Sequence, residues 1–142
     1  MLIYIGGRGK HGKFGGKYGY IKYDKNLKLG KQKYKIFKNE NIKNNEADYM
    51  ALIKYLETMK EDESAYIMTN NMLLEKHFNE KWKVKEKRLR DLLQMSKSMC
   101  ILKRLKLNVC WIPRKYNKMV LILEKENDKV SFNRKKENNN PN

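Results

Sequence analysis

The chain has 142 residues, the size of one ordinary domain, and its 40% hydrophobic and 35% charged residues provide one core beneath an ionic surface. A mean hydropathy of −0.89, with no apolar run long enough to span a bilayer, excludes a membrane-crossing helix. Thirty-three Lys and Arg against 16 Asp and Glu give a formal charge of +17, which opposes compaction unless something acidic neutralises it.

The opening MLIYIGG has too short an apolar run for a signal peptide and no basic segment before it. Its residues 2–5 read as a short buried strand. Gly6, Gly7, Gly9, Gly12, Gly15, Gly16 and Gly19 then mark a mobile or tightly turning stretch. Alternation over Tyr18–Tyr23 predicts a second strand and residues 24–30 carry turn chemistry. Lys33–Lys38 predicts a third strand, with Tyr34 and Ile36 on one parity and lysines on the other. These three strands form an antiparallel meander. Asn44 and Asn45 suit a helix cap. Tyr49, Leu52, Ile53, Leu56 and Met59 follow at helical spacing, so this helix runs to about Lys60. Residues 65–69 (AYIMT) read as a fourth strand and residues 72–78 as a short helix. Residues 86–104 form a long helix with Leu89, Leu92, Leu93, Ser96 and Cys100 on one face. Residues 107–112 (LNVCWI) make a fifth strand, stopped by Pro113. Residues 117–127 read as a last helix, although VLIL within them also suits a strand. The folded domain is therefore expected over 1–127, and the Asn-rich basic tail 128–142 is expected to be disordered.

Charge is uneven along this order. Residues 1–43 carry twelve bases and two acids, residues 44–69 two bases and six acids, and residues 80–118 thirteen bases and three acids. AT-rich codon usage accounts for Lys over Arg but not for so few acids. Two basic blocks around an acidic helix point to nucleic acid as the partner. A membrane partner is not expected, because no basic amphipathic helix with bulky apolar anchors stands out. Cys100 and Cys110 lack CxxC spacing and a nearby His, which argues against zinc. They read as buried reduced thiols of an intracellular, reducing compartment. The run from Gly7 to Gly12 matches GxGxxG after a strand. A dinucleotide loop needs a helix next, whereas here a strand follows. The run therefore reads as a flexible turn whose Arg8, Lys10, His11 and Lys13 suit phosphate contact.

The order βββαβααβ(α) resembles the ribonuclease H family over residues 2–126. Four patterns carry the likeness: IYIGG followed by GGKYGYIKY, NNEADYMALIKYLE, YIMTNN, and KWKVK followed after a helix by VCWIPRKYNK. The resemblance implies an α/β fold of the ribonuclease H-like kind, with a five-stranded mixed sheet, strands one to three antiparallel, flanked by helices.

In that family four carboxylates hold two magnesium ions, which need dense negative charge. Carried over by position, these carboxylates fall on Gly6, Asp48, Asn70 and Leu121, so three of four are lost. No metal, no cofactor and no catalytic residue is then expected, and the protein reads as a pseudoenzyme. Glu46 is a poor substitute, because residues two apart on a helix face apart. His11 and His77, without partners in view, read as surface or packing residues. The resemblance leaves a binding surface: Arg8, Lys10 and Lys13 in the glycine turn, Lys43, Asn44 and Asn45 at the first helix, Lys81, Trp82, Lys83 and Lys85 in the basic segment, and Arg114. It implies a catalytically inactive protein that binds RNA or an RNA–DNA hybrid within a ribonucleoprotein, such as the ribosome of a mitochondrion or other organelle. Two alternatives stay open. One is a protein-interaction module, such as a viral inhibitor of a nucleic-acid enzyme. The other is an active metal-dependent ribonuclease H with unusual ligands.

Overall fold

Period-two alternation builds three antiparallel strands at the start of the chain. In the computed structural model, which describes residues 1–23 and 33–126, these are β1 (Leu2–Arg8), β2 (Gly16–Tyr23) and β3 (Lys33–Asn39). The turn expected over 24–30 falls in the gap between β2 and β3, outside the described residues, and so does the tail 128–142. Next come α1 (Asn44–Thr58), β4 (Ser64–Thr69), α2 (Met72–Phe78), α3 (Lys87–Lys103) and β5 (Lys106–Trp111). A 3₁₀ turn at Arg114–Tyr116 leads to α4, described over 118–126. The segment VLIL is therefore helix, not strand.

The strands form one sheet in the order β3-β2-β1-β4-β5. The pairs β1–β2 and β2–β3 are antiparallel, and β1–β4 and β4–β5 are parallel. Parallel neighbours need a crossover, supplied by α1 and then by α2 with α3. Alternation divides the sheet residues between two cores. Ile3, Ile5, Tyr18 and Tyr20 pack with α1, α2 and α3. Ile21 and Tyr23, with Leu2 and Tyr4 beside them, pack under Met119 and Leu123 of α4. Helix α1 is enclosed by the sheet and α3, so Ala47, Tyr49, Ala51, Leu52, Ile53, Tyr55 and Leu56 are all buried. Each large apolar side chain so buried contributes about 1.5–3 kcal/mol.

Three expectations change. Strand β1 continues through Gly6 and Gly7 to Arg8, and Gly16 and Gly19 lie inside β2. Only Gly9, Gly12 and Gly15 belong to the connecting turn. The close approach of α1 explains Gly7, where a Cβ would lie 2.5 Å from the Ala47 Cβ. Phe37, on the lysine parity of β3, packs on the larger core, while Ile36 joins the smaller one. The asparagine pair does not cap α1. Lys43 occupies the cap position with no side-chain bond, and the Asn44 Oδ1 instead accepts the Gly9 N–H at 2.7 Å. His77 is a packing residue, buried against the Tyr49 hydroxyl at 2.5 Å, and burial holds its imidazole below the ordinary value and so neutral.

The turn is pinned to α1 at Gly9, where a Cβ would fall 2.2 Å from the Asn44 backbone nitrogen. At Gly12, φ is +55° but nothing lies within 4 Å of a Cβ. Gly9→Ala therefore forces backbone apart and is expected to cost about 3 kcal/mol or more. Gly12→Ala is expected to cost about 1 kcal/mol, the strain alone. Urea unfolding of both variants checks this, and equal losses would show that the turn does not dock on α1.

Candidate nucleic-acid interface

Because β1 and β4 are parallel neighbours, their carboxyl ends lie at the same edge of the sheet, where α/β sheets commonly bind ligands. The first turn of α1 meets them there through the Gly9–Asn44 bond. Helix α4 begins at the same place, capped by Asn117, whose Oδ1 accepts the Met119 N–H at 3.1 Å. A pocket of about 390 Å³ opens between these four elements. Gly7, Arg8 and His11 line it from β1 and the turn, Asn44, Asn45 and Asp48 from α1, and Asn70 and Asn71 from the end of β4. Arg114, Val120, Leu123 and Glu124 complete the wall.

An amide network fills the floor. The Asn117 Nδ2 donates to the Ile5 carbonyl and to the Asn70 Oδ1, each at 2.8 Å. Asn71 caps α2, accepting the Leu74 N–H at 3.1 Å, and donates to Asp48 Oδ2 at 3.0 Å. Asp48 is buried, which pushes its carboxyl up to about 7 against the opposing pull of the Asn71 amide, the Gly7 backbone N–H and the Arg114 charge.

Of the four positions at which the resemblance puts carboxylates, Asp48 and Asn70 line this pocket. Gly6 lies beneath α4. A Cβ there would sit 3.1 Å from Val120 Cγ2 and 3.3 Å from the Val120 backbone nitrogen, so an acid at Gly6 would press on the helix. Leu121 is 42% exposed and outside the pocket. The acid that α4 does bring is Glu124, one turn further on, paired with Arg114 at 2.7 Å. Residue-by-residue carry-over missed it. A helical step of three and four from Leu121 and Val120 reaches it, with Leu123 beside it. Glu46 is turned toward Arg88 at 3.9 Å. Among the described residues no group of three or more His, Cys, Asp or Glu is placed to hold a metal ion. The side chains present do not fit a pair of magnesium ions. Two carboxylates remain on the pocket, one accepting an amide and one an arginine.

A second pocket, of about 630 Å³, has Leu73, His77 and Leu89 as its floor and Lys81, Trp82, Lys83, Lys85 and Glu86 around it. Trp82 is half exposed and is not a core residue. Lys81 bonds Glu75 at 3.2 Å, whereas Lys83 and Lys85 make no ion pair among the described residues. Thus Arg8, Asn44, Asn45 and Arg114 meet at the first pocket, and Lys81, Trp82, Lys83 and Lys85 at the second. Lys10 and Lys43 are exposed and line neither. Lys13 lies by a smaller hollow with Lys17 and Lys38. Cys100 and Cys110 are free and only partly buried, contrary to the expectation of buried thiols. No helix of the described residues is long and apolar enough to cross a membrane.

No family model and no curated protein matches the sequence. Solved structures do. LC11 ribonuclease H1, from compost and crystallised with an RNA/DNA hybrid, is 22% identical, with a TM-score of 0.71 over 82% of this chain and 88% of that one. Ribonuclease H1 of Halobacterium salinarum is 18% identical, with a TM-score of 0.68 over 83% and 89%. The N-terminal ribonuclease H domain of rv2228c from Mycobacterium tuberculosis is 23% identical, with a TM-score of 0.62 over 82% and 85%. With the strand order and directions above, these likenesses identify the fold of the chain as ribonuclease H-like.

Proposed function

We propose that this protein is a catalytically inactive ribonuclease H-like protein that binds RNA or an RNA–DNA hybrid and serves as a structural part of a ribonucleoprotein, such as the ribosome of an organelle. The observation that carries the reading is the composition of the first pocket. Amides, arginines and a valine surround only two carboxylates, Asp48 and Glu124, each already engaged, where metal-dependent strand cleavage needs a cluster of carboxylates. Partnership with nucleic acid is supported by the charge of +17, by the lysines around the exposed Trp82, and by the hybrid bound to the LC11 enzyme of like fold. The binding surface comprises Arg8, Lys10, Lys13, Lys43, Asn44, Asn45, Lys81, Trp82, Lys83, Lys85 and Arg114. Two free thiols suit an intracellular, reducing setting.

The pure protein is expected not to cleave an RNA–DNA hybrid in magnesium or manganese. Metal-dependent cleavage that Asp48→Ala abolishes would overturn the reading.

Asp48 should behave as a buried acid and not as a ligand. With its folded value near 7, above that of an exposed aspartate, the native state holds a proton that the unfolded chain has released. The stability this confers is full below about pH 4 and is lost as pH rises through 7, on the order of 4 kcal/mol in all. His77, buried neutral, has the opposite sense, so the informative quantity is the difference from Asp48→Asn. The melting temperature of the wild type should fall relative to that variant between pH 5 and pH 8. Parallel profiles would show that Asp48 is not desolvated.

At the second pocket, lysine contacts to phosphate release counterions. Replacing Lys83 and Lys85 together by Ala should flatten the slope of log affinity for a hybrid against log salt by roughly 1.4–1.8. Lys81 is left intact because Glu75 already holds it. Trp82→Ala should weaken binding by roughly 1–3 kcal/mol with little change in slope, as loss of a stacking platform does. Unchanged affinity and slope in the double variant would mean that this block is only a solvated face.

A further inference from the structure

The first pocket has a surplus of hydrogen-bond donors, and the surplus follows from the bonds that hold the fold together. A backbone N–H only donates, so an asparagine bonded to one must turn its carbonyl oxygen that way and leave its nitrogen over. Asn44 gives its oxygen to the Gly9 N–H at 2.7 Å. Asn117 gives its oxygen to the Met119 N–H and its nitrogen to the Ile5 carbonyl. Only that nitrogen is then left to meet Asn70, which must answer with its own oxygen, at 2.8 Å. The amide nitrogens of Asn44 and Asn70 thus have no partner among the described residues, and both residues line the pocket.

The other polar side chains lean the same way. Arg8 and His11 line the pocket and make no ion pair among the described residues. Arg114 shares the wall with its partner Glu124, and the guanidinium retains donors beyond that one bond. The two acids of the pocket are occupied, Asp48 by Asn71 and Glu124 by Arg114. Unused amide and guanidinium donors, converging on about 390 Å³ whose two acids are already engaged, suit a compact anion with several oxygens. Arginine forks match the edge of a phosphate in particular.

We propose that this pocket receives a phosphate group directly, through Arg8, Arg114, His11 and the amides of Asn44 and Asn70, and needs no divalent metal to do so. This deepens the nucleic-acid reading above and rests on it for the source of the phosphate, a backbone phosphodiester of the bound strand. Free inorganic phosphate has the same chemistry.

The test uses the full-length chain, labelled with nitrogen-15, in excess EDTA. Inorganic phosphate is titrated while the side-chain amide signals of Asn44 and Asn70 and the Arg8 Nε signal are followed. Saturable shifts of all three are expected. Arg8→Gln should weaken the phosphate about tenfold or more, as loss of a charged hydrogen bond does. Arg8→Lys should recover part of the loss. Lys60→Gln, a charge change beyond the far end of α1, should leave phosphate binding unaltered. Melting curves of each variant establish that the fold persists. Hybrid is then added to the phosphate-loaded protein: displacement of phosphate assigns the site to the backbone phosphodiester, and joint occupancy assigns it to free phosphate. No saturable shift in EDTA, shifts that require magnesium, or an undiminished response in Arg8→Gln would overturn the proposal. Hybrid binding through Lys83 and Lys85 with no phosphate response would sink the pocket and spare the nucleic-acid reading. A phosphate response with no hybrid binding would do the reverse.

Discussion

Asn117 is the joint on which the site depends. Its side chain is fully buried, and its one amide serves β1, the end of β4 and the start of α4 together. In a low-dielectric interior an amide left half-satisfied costs more than its bonds return in water, so the three elements must meet in one geometry or not at all. Through this joint α4 lies across β1 with Val120 over Gly6. Asn70 is held at the pocket by its oxygen. Helix α4 also closes the smaller core with Met119 and Leu123, so the joint carries apolar burial as well as polar order.

The joint also shows what the neutral residues change. An aspartate in place of Asn70 would accept the same bond from Asn117, so the amide is not required by the fold. What it removes is a charge beside Asp48. Several carboxylates in one pocket repel and raise one another's affinity for protons unless a cation lies among them. With Asn70 neutral and Gly6 covered by a valine, the other acid of the pocket is Glu124, which is paired with Arg114, and burial is what raises the Asp48 carboxyl. The buried Asp48 thus has its carboxyl pushed up to about 7, and Asn44, Asn71 and Asn117 are anchored by backbone groups.

How far the sequence disclosed this differs from residue to residue. Alternating and helical periodicity located every described strand and helix to within a few residues, because burial of one face leaves a pattern in the side chains themselves. Gly6 and Gly7 have no side chain to alternate, so β1 read three residues short. The asparagine pair suited a helix cap by local chemistry, but the bond that Asn44 makes reaches 35 residues back to Gly9, and no local pattern carries that. The resemblance pointed to four positions, of which the structure brings Asp48 and Asn70 to the pocket. That Leu121 would turn outward and Glu124 inward depends on the rotation of α4 about its axis, which packing against Ile21 and Tyr23 decides. The basic block around Trp82 was legible as charge, but the claim of Glu75 on Lys81 needed the third dimension.

That claim belongs to a wider pattern, which links the net charge to the pockets. With half as many acids as bases, the chain uses its acids where they tie elements together. Glu61 and Asp62 hold Arg104 at the end of α3, Glu75 holds Lys76 and Lys81, and Glu124 holds Arg114. The exposed pairs of Arg104 and Arg114 contribute little stability singly, but each removes an acid from the free surface. Among the bases that make no ion pair with a described residue, Arg8 lines the first pocket and Lys83 and Lys85 line the second. Both pockets are concave, and concave walls of low dielectric focus the field of such charges. In the proposed complex, a nucleic acid would meet unpaired donors in both hollows, and the excess of bases that opposes folding of the chain alone would become the source of attraction.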